Sequence, residues 1–340
     1  MAQTELGKHM TDVVTTAIGY TPDRRALVLF DTQSALARLL TDAYREALPD
    51  AAFVDFNETT PEEALRLLNA HGQDDLVVLV QSGSFRLNEF RLRVELFKLG
   101  IKVVEHGHLG RIPAEEIPAY VDALAYDASY YRPLGRKLKE LIDAASTIVV
   151  ESEGGGVLTY EGGFEDVKLN IGDYTGMKNV GGQFPIGEVF TEPKDLTRVN
   201  GTVALYAFGN KEFRVEVPDK TMMVTVKEGM IVGVEDATTS FNEVLAQIQE
   251  DETLTVRELG FGMNRAFTRT RRVIDVGAYE RMCGIHLSLG GKHAIYAKPG
   301  FSRKHSRHHV DVFAAVTRVL VDGHVVYQSG AYCLEGLPTS

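Results

Sequence analysis

Five acid and imidazole side chains in this 340-residue chain stand where a titratable group is out of character with its neighbours. Glu188 precedes a strand-like run in PIGEVFTEP, Glu258 interrupts the apolar positions of TVRELGFGMN, and His286 lies inside the strand-like CGIHLSLGG. His309 and Asp311 open a further apolar strand, RHHVDVFAAV. Residues i and i+2 of a strand project to the same face, so this His and Asp are presented side by side, as two ligands of one ion require. Two imidazoles with up to three carboxylates suit Zn, Co, Mn or Fe(II). The carboxylate count also permits two ions about 3.5–4 Å apart, with one acid bridging them. Each residue alone has an ordinary reading: a Glu before a strand is usually solvated, and a strand His is usually a hydrogen-bonded core residue. Their joint occurrence, each among Gly or apolar neighbours, is what points to a metal site.

The charge distribution points the same way. The chain carries a formal −11, yet between Arg257 and His309 eleven Lys/Arg face three acids. That segment is therefore +8 and the remainder −19. The net charge of −11 argues against nucleic acid as a partner, and the asymmetry fits a pocket for a small anion. Arg265, Arg269, Arg271 and Arg272 follow the Glu258 turn and are the expected binders of a substrate carboxylate, through bidentate contacts.

The elements that must position these groups fall into two halves. Over residues 1–145, strand-like runs (ALVLFD, AAFVDF, DLVVLVQ, IKVVEH) alternate with helical stretches at Ser34–Leu48, Phe85–Lys98, Pro113–Ala125 and Pro133–Ala144. Thr60-Pro61-Glu62-Glu63 reads as an N-cap, a first-turn Pro and first-turn acids. That alternation predicts an α/β domain built on a doubly wound parallel sheet covered by helices. After a boundary expected near residues 143–147, residues 146–340 read as a strand-rich α+β domain with Gly-rich turns and one clear helix, Ser240–Glu250. Gly154-Gly155-Gly156 follows a strand but lacks GxGxxG spacing, so a hairpin turn is expected rather than a dinucleotide site.

No apolar run reaches the roughly 18–20 residues of a membrane helix, and no leader pattern opens the chain, so a cytoplasmic protein without membrane contact is expected. Cys283 and Cys333 are too few for a disulfide scaffold. His106 and His108 sit at the C-terminal end of a strand, where α/β sheets place ligand groups, while His305 and His308 read as exposed.

The order GEVFTEP, VNGTVAL, RELGFGMN, GIHLSLG and HHVD, closed by LVDGHVVYQSGAY, resembles the C-terminal half of the thermophilic-type metalloaminopeptidases, the aminopeptidase T and S group. The resemblance spans residues 180–332; the N-terminal half is similar in general layout. It implies Glu188, Glu258, His286, His309 and Asp311 as ligands of a two-metal site that hydrolyses an amide or peptide bond of a small molecule or short peptide. It also implies Glu188 as the proton acceptor and a homodimer. The family carries a tyrosine seven positions after the ligand histidine; that place is His293 here and the nearest tyrosine is Tyr296, so one of these is expected to stabilise the oxyanion. The same superfamily includes the 2,5-dihydroxypyridine 5,6-dioxygenases, Fe(II) ring-cleaving enzymes of nearly this length. They carry a histidine in place of Glu258 and lack the equivalents of Glu188 and His286. The ligand set thus favours a hydrolase using one or two Zn, Co or Mn ions. An Fe(II) oxygenase and a non-catalytic metal-binding protein are the competing expectations.

Overall fold

The computed structural model describes residues 3–87, 90–293, 295–298, 301 and 306–334. The chain divides into two compact units. The first comprises Met1–Arg132, Ile171–Ile186 and Arg271–Ala278, and the second Pro133–Asn170, Gly187–Thr270 and Tyr279–Ser340. This differs from one cut near residue 145. The strand Gly181–Gln183 pairs in parallel with Lys102–His106, which draws its segment into the first unit's sheet. No local pattern announces a partner that distant.

The first unit is the expected parallel sheet, ordered Gly181–Gln183, Lys102–His106, Leu76–Val80, Ala26–Phe30, Ala52–Asp55. Every residue of Ala26–Phe30 and Leu76–Val80 is buried, as continuous apolar strands of a parallel sheet require. Ser34 caps the helix Ala35–Ala47 by accepting from Ala37 N, and Thr60 and Glu63 form a reciprocal capping box on Pro61–Asn69. Two helices start elsewhere than expected. The first begins only at Leu92, because Arg86–Leu87 and Phe90–Arg91 pair as short antiparallel strands. The other begins at Ala128 and carries Pro133 within it. Pro133 is close enough to the N-terminus that its missing N–H deletes a single helical bond.

The second unit is strand-rich, as expected, and antiparallel. Glu153-Gly154-Gly155 makes the tight turn of a hairpin between Thr147–Ser152 and Val157–Glu161, with Gly154 and Gly155 at φ 68° and 78°. The helix Thr239–Asp251, capped by Thr238, buries Phe241, Val244, Leu245 and Ile248. Among the described residues, no helix is long and apolar enough to cross a membrane.

Candidate metal centre

Four neighbouring strands of the second unit carry the site: Glu188–Thr191, Val256–Gly262, Gly284–Leu289 and Val310–Ala314, each antiparallel to the next. Their register pairs Glu188 with Gly262, Gly260 with His286, and Ser288 with Asp311. Directly opposed residues point to one face, so Glu188, His286 and Asp311 share it. Between Val256 and Leu259 the register slips against Leu289 and Leu287, so Arg257 and Glu258 together oppose Ser288. A bulge of this kind re-aims side chains and removes a ladder bond. Here the Glu258 N–H donates instead to Ser288 Oγ at 3.0 Å.

The glycines of RELGFG have a packing reason. A Cβ on Gly260 would stand 2.1 Å from both Cε1 and Nε2 of His286, so the imidazole lies across bare backbone. A Cβ on Gly262 would meet the Met282 carbonyl oxygen at 1.9 Å.

With the ring so placed, His286 Nε2 is 3.2 Å from Glu188 Oε1 and 3.4 Å from Glu258 Oε1. His309 Nε2 is 3.1 Å from Asp311 Oδ1. Among the described residues two groups offer ligand atoms mutually within 4.8 Å: Glu188, Glu258 and His286, and Glu258, His309 and Asp311. Glu258 belongs to both. Glu188, Glu258, His286 and Asp311 are all buried, and His309 is partly exposed. Oxygen and imidazole donors this close, on a rigid sheet, suit a divalent cation.

The electrostatics agree. Burial disfavours charge on His286, but Glu188 and Glu258 overcome it and hold the imidazole well above its ordinary pKa. His309 is likewise raised, against burial, to about 10 by Asp311. Burial alone would raise Glu258, yet hydrogen bonds from His286 and His293 hold it well below the usual carboxylate range. His309 outweighs burial in the same way to lower Asp311. The acids thus demand positive charge, which protons on the imidazoles or a metal ion can supply. Glu280 differs: burial, with Asp311 and Glu188 adding to it against Arg281, pushes its carboxyl up to about 8.

Several functional groups were not singled out by sequence. Arg281 reaches Glu188 Oε2 at 3.1 Å and also pairs with Glu280. Arg257 pairs at 2.9 Å with Glu192, both nearly fully buried. The available signal was adjacent charges in an apolar strand, Arg257-Glu258, which a count of basic residues passes over.

The structure places the remaining candidates as follows. His293 Nε2 lies 2.6 Å from Glu258 Oε2. The Tyr296 hydroxyl donates to the Asp166 and Phe190 carbonyls at 2.8 and 3.3 Å. Arg269 pairs with Glu153. Arg271 pairs with Asp122 and, like Arg272, belongs to the first unit, while Arg265 is exposed. Arg257 and Arg281 also place guanidinium groups on acids at or beside the cluster. His106 is buried in the first unit 2.7 Å from the Tyr44 hydroxyl, His108 precedes a short helical turn, and His308 pairs with Asp251. Arg303, Lys304 and His305 lie outside the described residues.

The fold is shared with two known enzymes. The chain superposes on 2,5-dihydroxypyridine dioxygenase from Pseudomonas putida KT2440 with a TM-score of 0.69 and 14% identity, over 99% of each chain. It also superposes on wild-type AmpT, an aminopeptidase, from Thermus thermophilus with a TM-score of 0.58 and 14% identity, over 97% of this chain and 99% of that one. The aminopeptidase group that the C-terminal motifs resemble and the dioxygenase of similar length are thus both structural neighbours. No protein-family model and no curated protein matches the sequence.

Proposed function

We propose that the protein is a metal-dependent hydrolase that cleaves an amide or peptide bond of a small substrate at a dinuclear centre. The observation that carries this reading is the membership of Glu258 in both ligand groups, the position a bridging carboxylate occupies. Glu188, Glu258 and His286 would hold one ion, and Glu258, His309 and Asp311 the other. Divalent ions so held supply Lewis-acid activation of water and of an amide carbonyl. The chain's own residues do the rest. Glu188 accepts the proton of the attacking water, and Arg281, 3.1 Å from its Oε2, orients that carboxylate. Glu280, its carboxyl pushed up by burial, flanks that contact through its own pairing with Arg281.

The test is to strip the protein of metal and reconstitute it separately with Zn²⁺, Co²⁺, Mn²⁺ and, under anaerobic conditions, Fe²⁺. Each form is then assayed on dipeptides and N-acyl amino acids. Metal-dependent release of a free amino acid is expected. Oxygen uptake on a dihydroxypyridine by the Fe(II) form, without amide cleavage by any form, would replace the hydrolase by an oxygenase.

A further inference from the structure

The loop after Gly284–Leu289 touches two ligands of the second metal position with hydrogen bonds of fixed polarity. The Lys292 carbonyl lies 3.1 Å from His309 Nδ1. A carbonyl only accepts, so Nδ1 carries a proton and the lone pair of Nε2 is left for a metal. One residue on, His293 Nδ1 faces the N–H groups of Ile295 and Tyr296 at 3.2 and 3.3 Å. Those groups only donate, so Nδ1 accepts, and Nε2–H donates to Glu258 Oε2 at 2.6 Å. The shared acid and the partly exposed histidine are thus both oriented from this loop.

What holds the loop is a buried ion pair. Arg257 sends Nη1 to the Gly291 carbonyl and Nη2 to the Tyr296 carbonyl at 3.1 Å, and its guanidinium lies over the Phe301 ring at 4.9 Å. Its charge is balanced by Glu192 at 2.9 Å, one residue beyond the strand that begins with Glu188. Glu192 and Arg257 are 0% and 1% exposed, so neither keeps water as a partner. Guanidinium geometry matters here, because one planar group serves two carbonyls and a carboxylate at once.

We propose that Glu192 and Arg257 are positioning residues of the second metal position, acting through Lys292 and His293 on His309 and Glu258. This rests on the dinuclear reading and adds to it which half of the centre the buried pair controls. Removing such outer hydrogen bonds lowers metal affinity by about 10–100-fold. The Glu188–Glu258–His286 position, braced by Arg281 and by Gly260, is expected to hold its ion unchanged.

The experiment is calorimetric titration of metal-free full-length protein with Zn²⁺, resolving the two equivalents. Replacing the pair together, Glu192→Met with Arg257→Met, removes the loop's anchor without leaving a buried charge unpaired. The second equivalent is expected to weaken about 10–100-fold and the first to stay as in wild type. His293→Leu should give the same selective loss, and His293→Gln, which keeps a donor, should restore it. A folded double variant or a His293→Leu protein that binds both equivalents like wild type overturns the positioning role. So does an equal loss at both positions in His293→Leu, which serves if the double variant does not fold. Wild-type protein that binds no Zn²⁺ would instead overturn the metal centre itself.

Discussion

Gly260→Ala is the sharpest perturbation available, because it adds one methyl group without touching a charge. The new Cβ would stand 2.1 Å from His286 Cε1 and Nε2. Apolar contact needs about 4 Å, so ring and methyl must separate by well over 1 Å. The strands cannot open cheaply, since Gly260 and His286 are directly paired in the ladder. The ring cannot slide cheaply either, since Glu188 and Glu258 lie 3.2 and 3.4 Å from its Nε2. Overpacking of this kind costs roughly 1–3 kcal/mol, a melting shift of a few degrees. Metal–ligand distances tolerate about 0.2 Å, so loss of His286 as a ligand should exceed the 10–100-fold typical of losing an orienting bond. Competition of the variant against a fluorescent chelator for Zn²⁺, alongside a thermal melt of the metal-free protein, reads both effects. A Gly260→Ala protein that holds Zn²⁺ as tightly as wild type would refute the placement of His286 at the centre.

Three further outcomes follow from the same geometry. Glu258→Gln should abolish binding of both equivalents, whereas Asp311→Ala should remove one; elemental analysis after desalting distinguishes them. Arg269→Ala breaks an exposed pair with Glu153, so its melting curve should change by no more than about 1 kcal/mol and its metal content not at all. His106, lowered to about 3 by burial, is neutral when folded, whereas an unfolded histidine titrates near 6.5. Its contribution is present above about pH 6.5 and fades as pH falls toward 3, by about 1.4 kcal/mol per pH unit in that window. Protection of Leu76–Val80 and Lys102–His106, after correction for the intrinsic pH dependence of amide exchange, should fall accordingly, and the steepness should diminish in His106→Phe.

The clustering of these acids and imidazoles was legible because each stands out of character with its neighbours in sequence. His309 and Asp311 share a strand face by spacing alone, and Glu258 interrupts an apolar strand followed by glycines. The N-terminal sheet was equally legible from the alternation of apolar runs with capped helices. What sequence could not supply was register across distant strands. Gly260 has no visible purpose until its strand is set beside the one carrying His286, and the bulge that turns Arg257 and Glu258 together is a property of two strands. Arg257 meets Glu192 across 65 positions, and Gly181–Gln183 crosses to a strand near residue 104. Such pairings are decided by tertiary packing rather than local preference. The arginines singled out for substrate were chosen by density of charge, and a charge count does not reveal the burial of Arg257 and Arg281 beside the site's acids.

The dinuclear centre is tested most directly by anomalous diffraction at the zinc edge from crystals of the Zn²⁺-loaded protein. The account predicts two peaks about 3.5–4 Å apart on either side of Glu258, one with Glu188 and His286 and the other with His309 and Asp311. A single peak bound without Glu188 and His286, or no peak at these residues, would contradict it.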